Sequence, residues 1–436
     1  MSQPAKPLLL GAIADDFTGA TDLANNLVRA GMRVVQTIGV PAEPLAADVD
    51  AVVVALKSRT NPPAEAVAQS LAALRWLQDA GARQIYFKYC STFDSRFASE
   101  PRGNIGPVTD ALMDALGCDF SIATPAFPDN QRTVFKGYLF VGDVLLSESG
   151  MKDHPLTPMT DANLVRVLQA QTRRRVGLID HTVVARGADA VRARMAELRA
   201  QGFGLAVVDA VSNDDLLRLG PALADLPLVT AGSGVAIALP ANFGLSPSPQ
   251  AAALPAASGL AAVVSGSCSQ ATQQQVRAFI DTGRPALALD ALAVASDPAS
   301  AVQRALDWAA PRLADGPVLI YSTAAPEQVR AVQDRLGVQA AGELMEGALA
   351  AAARGLVQAG VRRLVVAGGE TSGACVQALG IAQMQIGAQI DPGVPWCHAR
   401  LGAALAAGQG DGLHIALKSG NFGAPDFFTK AFEALA

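Results

Sequence analysis

Two aspartates, Asp15 and Asp16, stand side by side in LLLGAIADDFTGATDLANNL, residues 8 to 27, straight after an apolar run. Adjacent carboxylates at the mouth of a buried strand are costly unless a cation or hydrogen-bond donors offset them, so the pair points to acid–base or cation-organising chemistry. Similar stretches follow: ALKSRTNP, FKYCSTFDS, ATPAFPDNQR and VTAGSG contribute Lys57, Arg59, Lys88, Arg132 and many hydroxyls. That inventory suits a small polyhydroxylated acid, with cations for its carboxylate, hydroxyls and amides for its hydroxyls, and an aspartate for the proton of a reacting hydroxyl. Asp and Ser after a strand are also ordinary turn and N-cap residues. Their recurrence at several strand exits is what argues for a site.

A second group lies later in the chain. RRLVVAGGETSGA, residues 362 to 374, runs from an apolar strand through Gly-Gly-Glu-Thr-Ser-Gly into a helix, and VVSGSCS (263–269) and ALKSGNFG (416–423) repeat the theme. Such junctions offer backbone N–H groups and a helix dipole to phosphate oxygens, and three of them favour a nucleotide over a single inorganic anion. The Lys of GxxxxGK[ST] is missing and GxGxxG does not occur, so neither a Walker site nor a Rossmann fingerprint is claimed. His154, His181, His398 and His414 are scattered without metal-ligand spacing, and no metal ligands are assigned. Cys90 and Cys268 sit in these loops and read as lining thiols rather than nucleophiles.

The elements that must position these residues follow from periodicity. Apolar β-type runs alternate with helical patterns: GAIA, RVVQTI, DAVVVAL, QIYFK, FSIATPA, VGLID, LAVVDA and PLVTAGSG, with helices expected from about Gly19, Pro63 and Gly103. Ala20, Leu23, Ala24, Leu27 and Val28 recur at helical spacing, with Thr18 as expected N-cap and Gly31 as stop. FKGYLFVGDVLL, residues 135 to 146, reads as an inserted hairpin. LAAVVSGS, PALALD, PVLIYSTA, RRLVVAGG and LHIALKSG then resume the rhythm. The fold class expected is α/β with two domains, each a mostly parallel sheet flanked by helices, and ligands belong outside the carboxyl ends of the strands. SPSPQAAALPAASG, residues 246 to 259, reads as a linker between domains spanning 1–245 and 260–436.

A length of 436 residues exceeds the roughly 250 to 300 at which one core stops growing, in keeping with two domains. The net charge of −5, and a densest basic cluster of only Arg173-Arg174-Arg175, read as a solvated helix end, exclude nucleic acid as an expected partner. Five scattered cysteines without a CxxC pair fit reduced thiols. The amino terminus lacks the pattern of a signal peptide, and prolines interrupt the uncharged region 226–276. A cytoplasmic protein without a membrane helix is expected.

With these residues laid out, the chain resembles the four-carbon acid-sugar kinase family over nearly its whole length. The stretches that carry the resemblance are IADDFTGATDLA, LKSRTNP, YFKYCSTFDS, RGNIGPVTDAL, GYLFVGDVLLSESGMKDHPLTPM, VVDAVSN, VTAGSG, VSGSCSQAT, VAGGETSGA and ALKSGNFG. KYCSTFDS and the long GYLFVGDVLL run place it nearest the 3-oxo-tetronate 4-kinase branch. The resemblance implies a two-domain kinase with the acid sugar on the amino-terminal domain and ATP on the carboxyl-terminal one. By position in the motifs, Ser265, Ser267, Gly368, Gly369, Glu370, Thr371 and Gly420 would contact ATP. Asp15 and Asp16 would be catalytic, and Ser58, Arg59, Lys88, Ser91, Asp94 and Arg132 would bind the substrate, with Arg59, Lys88 and Arg132 on its carboxylate. The implied reaction moves the γ-phosphoryl of ATP, bridged by Mg²⁺, to the C4 hydroxyl of 3-oxo-tetronate. One aspartate would take or orient the hydroxyl proton, and the other would help position magnesium or a basic side chain. A D-threonate or D-erythronate 4-kinase of the same family and a non-catalytic sugar-acid sensor are the alternatives. The expected partners are the sugar acid and ATP, and a homodimer is left open.

Overall fold

The computed structural model describes residues 8–42, 45, 49–94, 103–154, 157–322, 337–406, 410 and 412–435. Ser95, Arg102, Pro155 and Leu156, which belong to the family-like stretches, lie outside them. The contact pattern divides the chain into two compact bodies, Met1–Ala252 and Ala253–Ala436.

In the first body the apolar runs become strands β1 (Leu10–Ala14), β2 (Val34–Ile38), β3 (Ala51–Ala55), β4 (Gln84–Lys88) and β5 (Ser121–Thr124). After them come β6 (Arg132–Phe135), β7 (Tyr138–Val141), β8 (Val144–Leu145), β9 (Val176–Ile179), β10 (Leu205–Val208) and β11 (Leu228–Ala231). The main sheet runs β2-β3-β1-β4-β11-β5-β10-β9 with every pair parallel. Such strands are buried on both faces, which is why they read as continuous apolar runs rather than alternating ones. Register fixes where chemistry can collect: Ala14 lies opposite Ala55 and Lys88, Lys88 opposite Ala231, and Ala231 opposite Thr124. The loops leaving these strands therefore open along one edge. Strands β3 and β4 flank β1 on opposite sides, the switch-point arrangement at which open α/β sheets bind ligands.

Helix α1 (Phe17–Arg29) follows β1 at once, and its Leu23 and Leu27 are fully buried, each contributing about 2 kcal/mol of transfer free energy. Its N-cap is Asp16, not the expected Thr18: Oδ1 of Asp16 accepts the Gly19 N–H at 3.1 Å, while the Thr18 hydroxyl donates to Asp16 Oδ2 at 2.9 Å. Asp is as good a cap as Thr, and here it stands at the position where the backbone is still extended. Gly31, with φ +106°, lies just past the helix end as expected. Helices α2 (Pro63–Asp79) and α3 (Ile105–Leu116) also start near their expected points and pack on each other. The inserted hairpin is a separate antiparallel meander, β6-β7-β8. Asp209 ties it to the body by accepting the amides of Lys136, Gly137 and His181 at 2.6, 2.8 and 2.9 Å. Arg173 and Arg174 stand in the loop before β9, paired with Asp114, and not at a helix end.

The second body holds β12 (Leu260–Ser265), β13 (Ala286–Ala288), β14 (Val318–Tyr321), β15 (Val361–Ala367), β16 (Gln383–Asp391), β17 (Val394–Arg400) and β18 (Gly412–Lys418). Their order is β13-β14-β12-β15-β18-β17-β16, parallel as far as β18 and antiparallel beyond it. The β16-β17 hairpin has no counterpart in the sequence reading. Ser265 faces Ala367, and Ala367 faces Lys418, so the three Gly/Ser loops leave adjacent strands at one level. Behind them Val263, Phe279, Val365, Trp396, Phe427 and Phe428 form the core.

Candidate functional site

In the first body the two aspartates are held by cations from neighbouring strand exits. Arg59 donates Nε and Nη2 to Asp15 Oδ2 and Oδ1 at 3.0 and 2.9 Å, and Nη2 also reaches Asp16 Oδ1 at 2.6 Å. Lys88 Nζ lies 3.4 Å from the same oxygen of Asp16. The backbone enforces this, since the amides of Ser58 and Arg59 both donate to the Asp15 carbonyl, at 3.0 and 3.2 Å. Asn104 holds the 58–61 loop from the other side by donating to the carbonyls of Ser58, Arg59 and Asn61 at 2.9 to 3.2 Å. Helix α1 comes so close that a Cβ on Gly19 would sit 1.8 Å from Lys88 Nζ. A side chain there would have to displace the ends of Lys88 and Asp16.

The two carboxylates have different environments. Burial raises Asp15 above the usual carboxylate range despite its Arg59 partner. Burial also acts to raise Asp16, but Arg59, Lys88 and the Thr18 and Gly19 donors outweigh it and hold that carboxyl well below the usual range. The side chain of Asp16 is 25% exposed and that of Asp15 5%, so Asp16 is the one a ligand can reach.

Asp94 lies in the 89–94 loop, where Phe93 adopts φ +55°, a strained setting for an aromatic residue that costs on the order of 1 kcal/mol. Burial would raise its carboxyl, yet Arg59 and three donors lower it; Thr92 and Thr157 hydroxyls reach it at 2.5 and 2.8 Å. Thr157 is itself 2.9 Å from His154 Nδ1, which brings His154 and Thr157 onto the site. Ser58 is buried, and Ser91, in this loop, is half-buried. Burial pushes the Cys90 thiol up to about 11, against a nucleophilic role.

Arg132 opens β6, away from the pair. One Nη donates to the Asn130 carbonyl, while its Nε is buried without a partner. Its charge and those of Lys88 and Asp16 all act on Asp22, a buried carboxyl on α1 that desolvation raises to about 7 and whose Oδ1 is likewise unpartnered. Asp22 and Asn104 were missed in the sequence; the signal for Asp22 is a lone carboxylate inside a helix otherwise uncharged from Phe17 to Val28. Arg59, expected on a substrate carboxylate, is paired with Asp15 and Asp16 through its Nε and Nη2.

In the second body the site is built from backbone. Helix Gly369–Ala378 starts at Gly368, with φ +121° and no capping side chain, so its first amides face the loop mouth. A Cβ on Gly266 would meet Thr371 Oγ1 at 2.2 Å, and one on Gly420 would meet Ser267 Oγ at 2.6 Å. The three loops are therefore in contact. Ser265 is buried at the end of β12, while Gly369 and Glu370 are exposed. Ser269 caps helix Gln270–Asp281 and donates to the Gly420 carbonyl at 2.5 Å, joined there by Thr272 at 2.8 Å.

Residues 10–239, which include the whole first cluster, match the family model described as a sugar-binding N-terminal domain. Residues 262–428, with all three Gly/Ser loops, match that of a nucleotide-binding C-terminal domain. The chain belongs to this two-domain family. Among curated relatives, the 3-oxo-tetronate kinase of Burkholderia multivorans is 60% identical over 100% of this chain and 99% of its own. That of Pseudomonas fluorescens is 59% identical over 98% of this chain and 97% of its own. A crystal structure of a Haemophilus influenzae protein, 45% identical, covers 98% of this chain and 100% of its own with a TM-score of 0.78. One from Salmonella typhimurium, 43% identical, covers 97% and 98% with a TM-score of 0.85. Among the described residues no helix is long and apolar enough to cross a membrane, and no group of three or more His, Cys, Asp or Glu converges as a metal cage.

Proposed function

We propose that the protein is an ATP-dependent kinase that phosphorylates the C4 hydroxyl of 3-oxo-tetronate. The observation that carries this reading is similarity along the whole chain to curated 3-oxo-tetronate kinases at 60% and 59% identity. The geometry of each domain supplies matching chemistry. In the first, the Arg132 guanidinium pairs with the substrate carboxylate, and Ser58, Ser91, Lys88 and Asp94 bind its oxygens. Asp16 accepts a hydrogen bond from the C4 hydroxyl, and Asp15 holds Arg59, which in turn holds Asp16. The low basicity of Asp16 suits a loose phosphoryl-transfer transition state, in which orienting the nucleophile matters more than early deprotonation. As the C4–O–P bond forms and the bond to ADP breaks, the hydroxyl proton passes to Asp16 and on to solvent. In the second domain, the amides at the start of helix Gly369–Ala378, with Ser265, Ser267 and Gly420, cradle the phosphates. Magnesium enters with the nucleotide, as the Mg·ATP substrate, and no protein step is assigned to it; the described carboxylates form no cage of their own.

Purified protein incubated with Mg·ATP and separate four-carbon acids tests the reading. ADP release is expected with 3-oxo-tetronate well above that with D-threonate or D-erythronate. No substrate-dependent ADP from any of them overturns the kinase; a preference for threonate or erythronate moves the protein to another branch.

A further inference from the structure

Lys418 closes β18, in which His414 is the other polar side chain, and its own side chain is fully buried. No carboxylate partners it among the described residues. Its ammonium stands instead in a cage of oxygens: Thr272 Oγ1 at 3.0 Å and the carbonyls of Ser419, Gly420 and Phe422 at 3.0, 3.1 and 3.1 Å. Three protons directed at four oxygens, three of them carbonyls of one short loop, make the arrangement of a bound monovalent cation. Desolvation alone draws this ammonium down to about 7, and the four acceptors act in the opposite sense by favouring the charged form. Gln275 adds donors to the carbonyls of Phe422, Gly423 and Ala424 at 2.9 to 3.1 Å.

The consequence follows from the planarity of the peptide. In a trans peptide the carbonyl of one residue and the N–H of the next point in opposite directions. Turning the Ser419, Gly420 and Phe422 carbonyls inward onto Lys418 turns the amides of Gly420, Asn421 and Gly423 outward, as a concave array of donors. We propose that Lys418 is a positioning residue for nucleotide binding: an internal cation whose oxygen cage aims the 419–423 amides at a nucleotide phosphate. Lys418 touches no ligand itself. This inference rests on the nucleotide reading of the second domain.

The test measures ADP and ATP-analogue affinity by calorimetry together with steady-state kinetics. Lys418→Met, close in volume but uncharged, is expected to weaken nucleotide binding at least tenfold and to raise the KM for ATP, while the KM for the sugar acid stays within twofold. Lys418→Ala is expected to lose as much, and to regain nucleotide affinity in tens of millimolar ammonium or ethylammonium chloride but not in equal tetramethylammonium chloride. A role limited to filling space predicts no such selectivity. Thr272→Val removes one side of the cage, and a threefold to tenfold loss of affinity is expected from it even if the Lys418 variants fail to fold. Wild-type protein that binds nucleotide, with Lys418→Met or Thr272→Val binding equally well, overturns the inference alone. Wild-type protein that binds no nucleotide overturns the functional reading, and the inference with it.

Discussion

Each domain ends a central strand on a buried lysine, and the two lysines are solvated in opposite ways. Lys88, at the end of β4, faces Asp16, and although burial works to lower it, Asp16 and Asp15 outweigh burial and raise it. Lys418, at the end of β18, faces only neutral oxygens. The first site is thus an ion network whose charges touch one another at a strand-exit edge, suited to an acid with several hydroxyls. The second is a neutral backbone surface shaped from behind by one charge, suited to a polyanion that brings its own counter-ion. The same residue at the end of a buried strand does different work because of what the adjacent loops offer it.

Five substitutions would break or sharpen that contrast. Asp16→Asn keeps the shape but removes the charge a ligand can reach, and turnover should fall about a thousandfold with nucleotide affinity unchanged. Equal loss of nucleotide binding would mean that the two sites are not separable in this way. Gly19→Ala places a methyl against Lys88 and Asp16, and Gly266→Ala places one against Thr371. About a hundredfold loss in kcat/KM for the sugar acid is expected from the first, and about a tenfold loss of nucleotide affinity from the second. Each variant should spare the other ligand; crossed effects would contradict the comparison. Arg132→Gln should raise the KM for the sugar acid roughly thirtyfold, the worth of a hydrogen bond to a charged group, and hardly affect a polyol lacking the carboxylate. An equal rise for the polyol would take Arg132 off the carboxylate. The smallest effect is a slope. Burial pushes the Asp22 carboxyl up to about 7 in the folded protein, well above the ordinary carboxylate range, so its favourable contribution is full at low pH and lost as pH rises through 7. Between pH 5 and 7 the wild type should lose stability relative to Asp22→Asn by up to about 1.4 kcal/mol per pH unit, read from urea midpoints. Parallel curves for the two proteins would show that Asp22 is ionised throughout.

The parallel strands and their polar exits were legible because a strand buried on both faces must be apolar and must stop where polarity returns. The β16-β17 hairpin was not. Along Gln383–Asp391 buried and exposed positions mix, Pro395 interrupts the partner strand, and neither resembles the long apolar runs that mark the parallel strands. The exchange of Asp16 for Thr18 as helix cap shows the limit of a local rule, since both residues can cap and only the backbone at Asp16 decides. Arg59 was recognised as a cation of the site, but its partners lie 43 and 44 residues away and depend on the β1–β3 register. Lys418 stood in plain view in ALKSGNFG, and its meaning lay in carbonyls that no sequence pattern displays.

The unpartnered Nε of Arg132 and Oδ1 of Asp22 are, in thermodynamic language, part of an unfinished fold. An unsatisfied buried polar atom costs about 1 to 3 kcal/mol, and a ligand that supplies the missing partner returns that free energy to the folded state alone. Under the proposed function, the sugar acid would then raise the stability of the first domain, and urea midpoints measured with and without the acid would read that rise.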